Sequence, residues 1–480
     1  MASRSFAGVL KSCRNPSRII NAFLMRPYSA YLRYVKKDLF SRISPIGDPK
    51  KSVVPVLDKW VEEGNKVKGL DLKRIIRDLR SRRRYTHALQ VAEWMSSKTE
   101  GLLTPADHAL KLDLIGKVQG LDVAENYFNN LRDQDKVEKT YGALLNCYVR
   151  ECATDKSLSL LRKMKEMGYA SSALTYNCEM CLYTNVGQLE KVPNVLSEMK
   201  EANISPDNFT YRICLNSYGA RSDMDHMEDL LKEMECLQHM SVDWSTYSVV
   251  ANHFIKAGIK EKALIYLRKC EENVQRDSPG YNHLISLYSA LGNCKEVKRL
   301  WALRKAVRKR QSNKDYITML GSLVKLGEIE EAEKLLREWE ASCEFYDFRV
   351  PNTLLIGYCQ KGWPEKAEQM LLEIIKLGKT PIPNSWSIVA AGYVDKDNME
   401  KAFECMKEAL ALQSQSEAWR PKNQVVSIIL NWVKVNRASE VESFLSLLNT
   451  VPSFDQKAIN LLETVSADSS NEDIMQEENL

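Results

Sequence analysis

Aromatic or apolar residues recur along the chain at the spacing of a helical hairpin. The series runs Tyr141, Tyr176, Tyr211, Tyr247, Tyr281, Tyr316, Pro351 and Trp386, at intervals of 35, 35, 36, 34, 35, 35 and 35. Four residues after these anchors stand Leu145, Met180, Leu215, Ala251, Ile285, Leu320, Leu355 and Ala390. Seven after them stand Tyr148, Tyr183, Tyr218, Phe254, Tyr288, Leu323, Tyr358 and Tyr393. These three positions share one face of an α-helix, so each anchor opens a helix with a single buried stripe. Eleven after the anchor come Gly187, Gly258, Gly292, Gly327 and Gly362, which tolerate the positive φ that ends a helix and turns the chain. A second amphipathic stripe follows each turn, as Leu158, Leu161 and Met164 in one unit and Ala332, Leu335 and Leu336 in another.

One such hairpin leaves most of its apolar face in water and is stable only when neighbours stack on it. The periodicity therefore predicts an all-α fold, a right-handed superhelical solenoid of helix-turn-helix repeats with a long concave surface. Weaker copies extend it both ways, at Leu72 with Ile75, Ile76, Leu79 and Ala88, at His108 with Leu112 and Leu114, and at Val425 with Ile428, Ile429 and Trp432. The array is expected over 70–450, in about ten or eleven units. A partly helical lead-in is expected over 29–69, and an acidic, disordered tail over 451–480.

Charge changes this picture only locally. The formal net charge is +5, and residues 1–28 hold five cations, Arg4, Lys11, Arg14, Arg18 and Arg26, with no acid, so the remainder is neutral. The tail from Asp468 carries five acids without Lys or Arg, which leaves five excess cations in the section between. Attraction to phosphate must come from local patterning. Residues 1–28 are rich in Arg and Ser, free of acids and amphipathic, and are expected to be an organelle transit peptide. Arg26-Pro27-Tyr28 before Ser29 resembles a plant mitochondrial cleavage pattern, so mitochondria are the expected destination, with the chloroplast as alternative. No apolar run is long enough to cross a bilayer, and no membrane insertion is expected. The 12 cysteines are spread singly through apolar helical patterns, as reduced core thiols are.

The units from Thr175-Tyr176-Asn177 through Glu198-Met199-Lys200 to Ser205-Pro206-Asp207, from Tyr281-Asn282-His283-Leu284-Ile285, and from Pro351-Asn352-Thr353-Leu354-Leu355 resemble the pentatricopeptide repeat. The tetratricopeptide pattern, with Trp and Leu-Gly in the first helix, is not matched. The lead-in Ser41-Arg42-Ile43-Ser44-Pro45, with Val54-Pro55 through Trp60 to Gly64, is similar to the start of a plant subgroup of that family. Near-uniform unit length is similar to its P class, which has plain repeats and no editing domain. The resemblance covers about Ser29 to Pro452.

The resemblance implies an RNA-binding protein without its own catalysis, acting on the processing, stability or translation of organellar transcripts. It also implies that each repeat reads one base, through the residue after the anchor and the residue four before the next anchor. Carried over, Asn177 with Asp207 resembles a uracil reader, Asn282 with Ser312 a cytosine reader, and Ser248 with Asp277 a guanine reader. The pairs Gly142 with Ser172, Arg212 with Asp243, Ile317 with Asp347, Asn352 with Ile382 and Ser387 with Lys422 resemble no clear assignment. Alternatively, Asn177 and Asn282 merely cap helices. Two basic runs are candidates for phosphate contact. The first includes Arg80, Arg82, Arg83 and Arg84, and the second Arg308, Lys309 and Arg310. The second run falls on a second helix and the outer wall, which suits ribosomal RNA or a partner better than a groove-bound strand. The expected partner is single-stranded RNA of a mitochondrial transcript. The alternatives are ribosomal RNA, with the chain a structural component of the mitochondrial ribosome, and a protein-binding helical scaffold.

Catalytic and metal chemistry find little support. His226-Met227-Glu228 and Cys178-Glu179-Met180-Cys181 copy pieces of a zinc deaminase signature, but in the wrong order and without the Pro. Phosphate-binding loops and the H-E-x-x-H pattern are missing. No catalytic residue, metal or cofactor is expected.

Overall fold

The computed structural model of the chain describes residues 38–48, 51–98, 103–237, 240–274, 280–307, 310–412 and 419–449. The leader expected at 1–28, the tail expected at 451–480, and the candidates Asp277, Arg308 and Lys309 lie outside the described residues. Among the described residues every regular element is helical. Leu39–Ile43 and Val54–Glu62 precede the hairpins, the first of which pairs Gly69–Ser81 with Tyr85–Lys98 and the last Asn423–Asn436 with Val441–Asn449. These elements fall into two compact units, one ending at Ser217 and the other beginning at Tyr218.

Within each unit the first helices of successive hairpins pack on one another. In the first unit Pro105–Val118 lies on Glu138–Arg150, which lies on Ala173–Asn185. In the second, contacts run from Trp244–Lys256 to Gly280–Ala290, Asn313–Leu326, Arg349–Gln360, Pro383–Asp395 and Asn423–Asn436. The stripe explains why. Leu145, Met180, Leu215, Ala251, Ile285, Leu320, Leu355 and Ala390, the fourth residues after the anchors, are all 0% exposed. Full burial of a Leu or Ile stabilises by roughly 1.5–3 kcal/mol, and here it is the neighbouring hairpin that completes it. Backbones also come close. A Cβ built on Gly392 would stand 2.5 Å from Cys359 Sγ, so only the missing side chain lets these two first helices meet.

The turn eleven residues after the anchor keeps a left-handed backbone whichever residue occupies it. Gly258 has φ of 77°, while Cys152, Ser222 and Asp397 adopt 54°, 61° and 57° at the same register. Stacking, and not glycine, sets the turn, and the non-glycine residues bear a cost of roughly 1–2 kcal/mol each. The lead-in is tied to the first hairpin by polar contacts. Arg84 donates to the carbonyl oxygens of Ser44, Ile43 and Ile46, and His87 Nε2 lies 3.0 Å from the Asp48 carbonyl oxygen.

Candidate nucleic-acid interface

The residue after the anchor lies in the first two turns of each first helix, and the asparagines at that place reach the start of the next hairpin. In the first unit, Asn177 Nδ2 donates to Asp207 Oδ1 at 3.3 Å. The same carboxylate oxygen accepts from the Thr210 N–H at 2.7 Å and from the Thr210 hydroxyl at 2.9 Å, so Asp207 both caps the helix Asn208–Ala220 and clasps Asn177. Burial works to raise the Asp207 pKa, but the Thr210 and Asn177 hydrogen bonds outweigh it and hold the carboxyl below its ordinary range. Asp207 is thus an exposed anion, whereas Asn177 is 3% exposed.

A parallel clasp occurs in the second unit with a different partner. Asn282 Nδ2 donates to Asp315 Oδ1 at 2.8 Å; the side chain it meets is Asp315 and not Ser312. Ser312 instead caps the helix Asn313–Leu326, giving its N–H and hydroxyl to Asp315 Oδ2 at 2.8 and 2.9 Å. Arg304 Nη2 completes the Asp315 shell at 3.2 Å. The signal for Asp315 was present in the sequence as a Ser-x-x-Asp capping box just before the anchor Tyr316.

In both clasps the amide nitrogen is turned to a carboxylate, and the amide oxygen, Oδ1 of Asn177 and of Asn282, is buried without a donor among the described residues. A buried acceptor left in that state costs about 1–3 kcal/mol, so each clasp holds an acceptor that a donor from outside would satisfy. The alternative that these asparagines only cap their own helix is not what the geometry shows, since each reaches the next hairpin. Two further residues lie beside the first clasp. Leu174 and Phe209, each three residues before the residue that follows an anchor, are 57% and 47% exposed. Arg212 lies over the Phe209 ring at 5.8 Å. Of the two apolar residues, Phe209 carries an exposed ring on which a flat group can stack; the signal of both in the sequence was an apolar residue where the face should be polar.

The remaining candidates are placed differently. Ser248 is 2% exposed and donates its hydroxyl to the Ser245 carbonyl oxygen at 2.7 Å within its own helix. Arg80 pairs with Asp113 at 2.6 Å, Arg84 is spent on the lead-in, and Arg310 pairs with Glu344 at 2.7 Å. Arg82 is exposed with its guanidinium over the Phe40 ring at 5.1 Å, and Arg83 is exposed in the left-handed turn. The second helices are cross-linked by ion pairs about one repeat apart, among them Lys262 with Glu228, Lys305 with Glu338, Lys366 with Glu333 and Lys401 with Glu368. Cations in this ladder already have anionic neighbours, which lowers the positive potential they offer to a phosphate.

The zinc-like fragments are engaged in packing. Burial pushes the Cys178 thiol up to about 12, and His226 stacks on Tyr218 with ring centroids 5.6 Å apart. Among the described residues no group of three or more His, Cys, Asp or Glu is arranged to hold a metal ion.

The pentatricopeptide repeat model matches residues 139–169, 209–238, 280–303, 315–343, 350–378 and 385–412, and a second model of the same repeat family matches 171–220. A mitochondrial pentatricopeptide repeat-containing protein of Arabidopsis thaliana is 49% identical over 90% of this chain and 89% of its own length. The chain belongs to the pentatricopeptide repeat family. A second mitochondrial member from Arabidopsis thaliana is 38% identical over 85% of this chain and 83% of its own length. This pentatricopeptide repeat protein therefore shares with those relatives the mitochondrial destination expected from its amino terminus, and with the family its character as an RNA-binding helical repeat. Among solved structures it is similar to the maize pentatricopeptide repeat protein PPR10, with TM-score 0.47 and 16% identity over 84% of this chain. The chain spans 62% of that protein's length. PPR10 in complex with an 18-nt psaJ RNA element gives TM-score 0.46 at 16% identity, covering 86% of this chain and 63% of that one.

Proposed function

We propose that the protein holds a single-stranded stretch of a mitochondrial transcript against the starts of its first helices, and so affects the processing, stability or translation of that transcript. The observation that carries this reading is the pair of clasped asparagines, each presenting a buried amide oxygen without a donor among the described residues beside an exposed helix start. The N–H of a base edge is a donor of the required kind. Because both oxygens are shielded from solvent, a base reaches them only as neighbouring side chains swing aside, and the satisfied acceptor repays that movement. Two such readers supply about 2–6 kcal/mol of discrimination, and stacking and phosphate contacts add affinity that does not depend on sequence. The ion pairs of Lys305 with Glu338 and of Arg310 with Glu344 weigh against the alternative of a constitutive ribosomal protein only where it would be bound through the second basic run. Crosslinking in mitochondria followed by sequencing of the bound RNA tests the choice. Crosslinks concentrated on one or a few transcripts are expected. Co-sedimentation with ribosomal subunits through high salt, or no RNA binding by the purified protein at low salt, would overturn the reading.

A further inference from the structure

Asparagine follows the anchor in three hairpins, as Asn177, Asn282 and Asn352, and all three are deeply buried, at 3%, 7% and 4% exposure. Their amides are nevertheless not equivalent. In the first two the nitrogen is fixed on a carboxylate and the oxygen has no donor among the described residues. In the third, the buried hydroxyl of Ser385 donates to Asn352 Oδ1 at 2.8 Å.

The difference follows from one missing carboxylate. Thr210, Thr246 and Ser385 share a register, one residue before their anchors. Thr210 and Thr246 give their hydroxyl protons to the capping aspartates three residues earlier, Asp207 at 2.9 Å and Asp243 at 2.8 Å. The residue three before Ser385 is Ile382, which caps the helix Pro383–Asp395 without any side-chain hydrogen bond. Ser385 is 0% exposed and must place its proton somewhere. Denied a cap, it places it on Asn352.

We propose that Ser385 latches Asn352 shut, so that Asn177 and Asn282 read bases while Asn352, alike in residue type and register, does not. The latch rests on the RNA-holding reading above. A base N–H approaching Asn177 or Asn282 satisfies an orphaned acceptor, and a mismatched edge leaves it orphaned, which is the origin of discrimination. At Asn352 the acceptor is satisfied before RNA arrives, so right and wrong bases differ little.

The test is selection of RNA by the full-length mature protein from a randomised pool of short single-stranded RNA, with sequencing of what is retained. Asn177→Ala and Asn282→Ala are each expected to flatten one position of the selected motif and weaken binding of the preferred sequence about tenfold. Asn352→Ala should leave motif and affinity within about twofold of the parent. Ser385→Ala, which removes the latch, and Ile382→Asp, which offers the hydroxyl its cap and the Asn352 nitrogen a carboxylate, should each add a preferred base at one further position. Asn352→Ala flattening a position as Asn177→Ala does would overturn the latch alone, as would an unchanged motif in both Ser385→Ala and Ile382→Asp when these melt like the parent. A parent protein that selects no motif at all overturns the RNA reading together with the latch.

Discussion

Arg304 and Asp315 form an ion pair at 3.2 Å whose side chains are 3% and 2% exposed, and Asp315 in turn fixes the Asn282 amide. Replacing Arg304 with Met keeps much of the side-chain length and removes the charge. The carboxylate then stays buried with the Ser312 N–H and hydroxyl and the Asn282 amide, but without that cation. Breaking one side of a buried pair costs about 3–5 kcal/mol, because the remaining charge is stranded in a poor solvent. With a urea dependence of roughly 2–3 kcal/mol per molar, the unfolding midpoint should fall by about 1–2.5 M. Adding Asp315→Asn removes the stranded charge and should recover about 1–3 kcal/mol of that loss. Acid should expose the same pair. Burial acts to raise the Asp315 pKa, but its hydrogen bonds and Arg304 outweigh this and hold it below the ordinary carboxylate value. Its contribution is therefore present above about pH 3.9 and lost as pH falls below that, and in Arg304→Met, whose carboxyl is held less far down, the contribution should be smaller and its loss complete at a higher pH. Urea titrations followed by circular dichroism at several pH values measure all of this. A single variant unfolding at the parental midpoint, or a double variant whose loss equals the sum of the two singles, would refute the reasoning.

Four other perturbations probe the remaining features. Gly392→Ala places a methyl group 2.5 Å from Cys359 Sγ and 2.8 Å from its Cβ, and thermal unfolding should show a loss of about 1–3 kcal/mol. Ser222→Gly relieves a left-handed residue at φ of 61° and should stabilise by up to about 1 kcal/mol, checked by the same melt. Lys305→Ala breaks a rung of the second-helix ladder whose two side chains are 39% and 45% exposed; it should cost less than about 1 kcal/mol, and added salt should shrink even that. His253 is 4% exposed and its burial, with Lys256 nearby, lowers its pKa, so protons favour the unfolded chain. Stability should be complete above about pH 6.5 and decline as pH falls through it, and His253→Gln should flatten that decline in urea unfolding.

The array was readable because its physics is one-dimensional. A hairpin that cannot bury its own stripe must repeat it, and the repeat shows as Tyr141, Tyr176, Tyr211 and their successors. The same register marked Asn177 and Asn282 as residues to examine, and a Thr or Ser one position before the anchor could have been read beside them. Basic runs were less informative, because the sequence lists Arg80 and Arg310 without the acids a repeat away that meet them, Asp113 and Glu344.

By itself, then, the sequence determined the helical hairpins, their length, the stripe that stacks them and the family to which they belong, since all of these depend on residues near one another in the chain. Only the tertiary structure decided where each polar proton goes. Asn282 finds Asp315 instead of Ser312, Ser385 turns from an absent cap to Asn352, and Arg84 goes to the lead-in, because a buried donor or acceptor takes whatever partner stacking brings within about 3 Å. Those choices join residues some 33 to 40 positions apart, one hairpin on, and no local pattern can rank them.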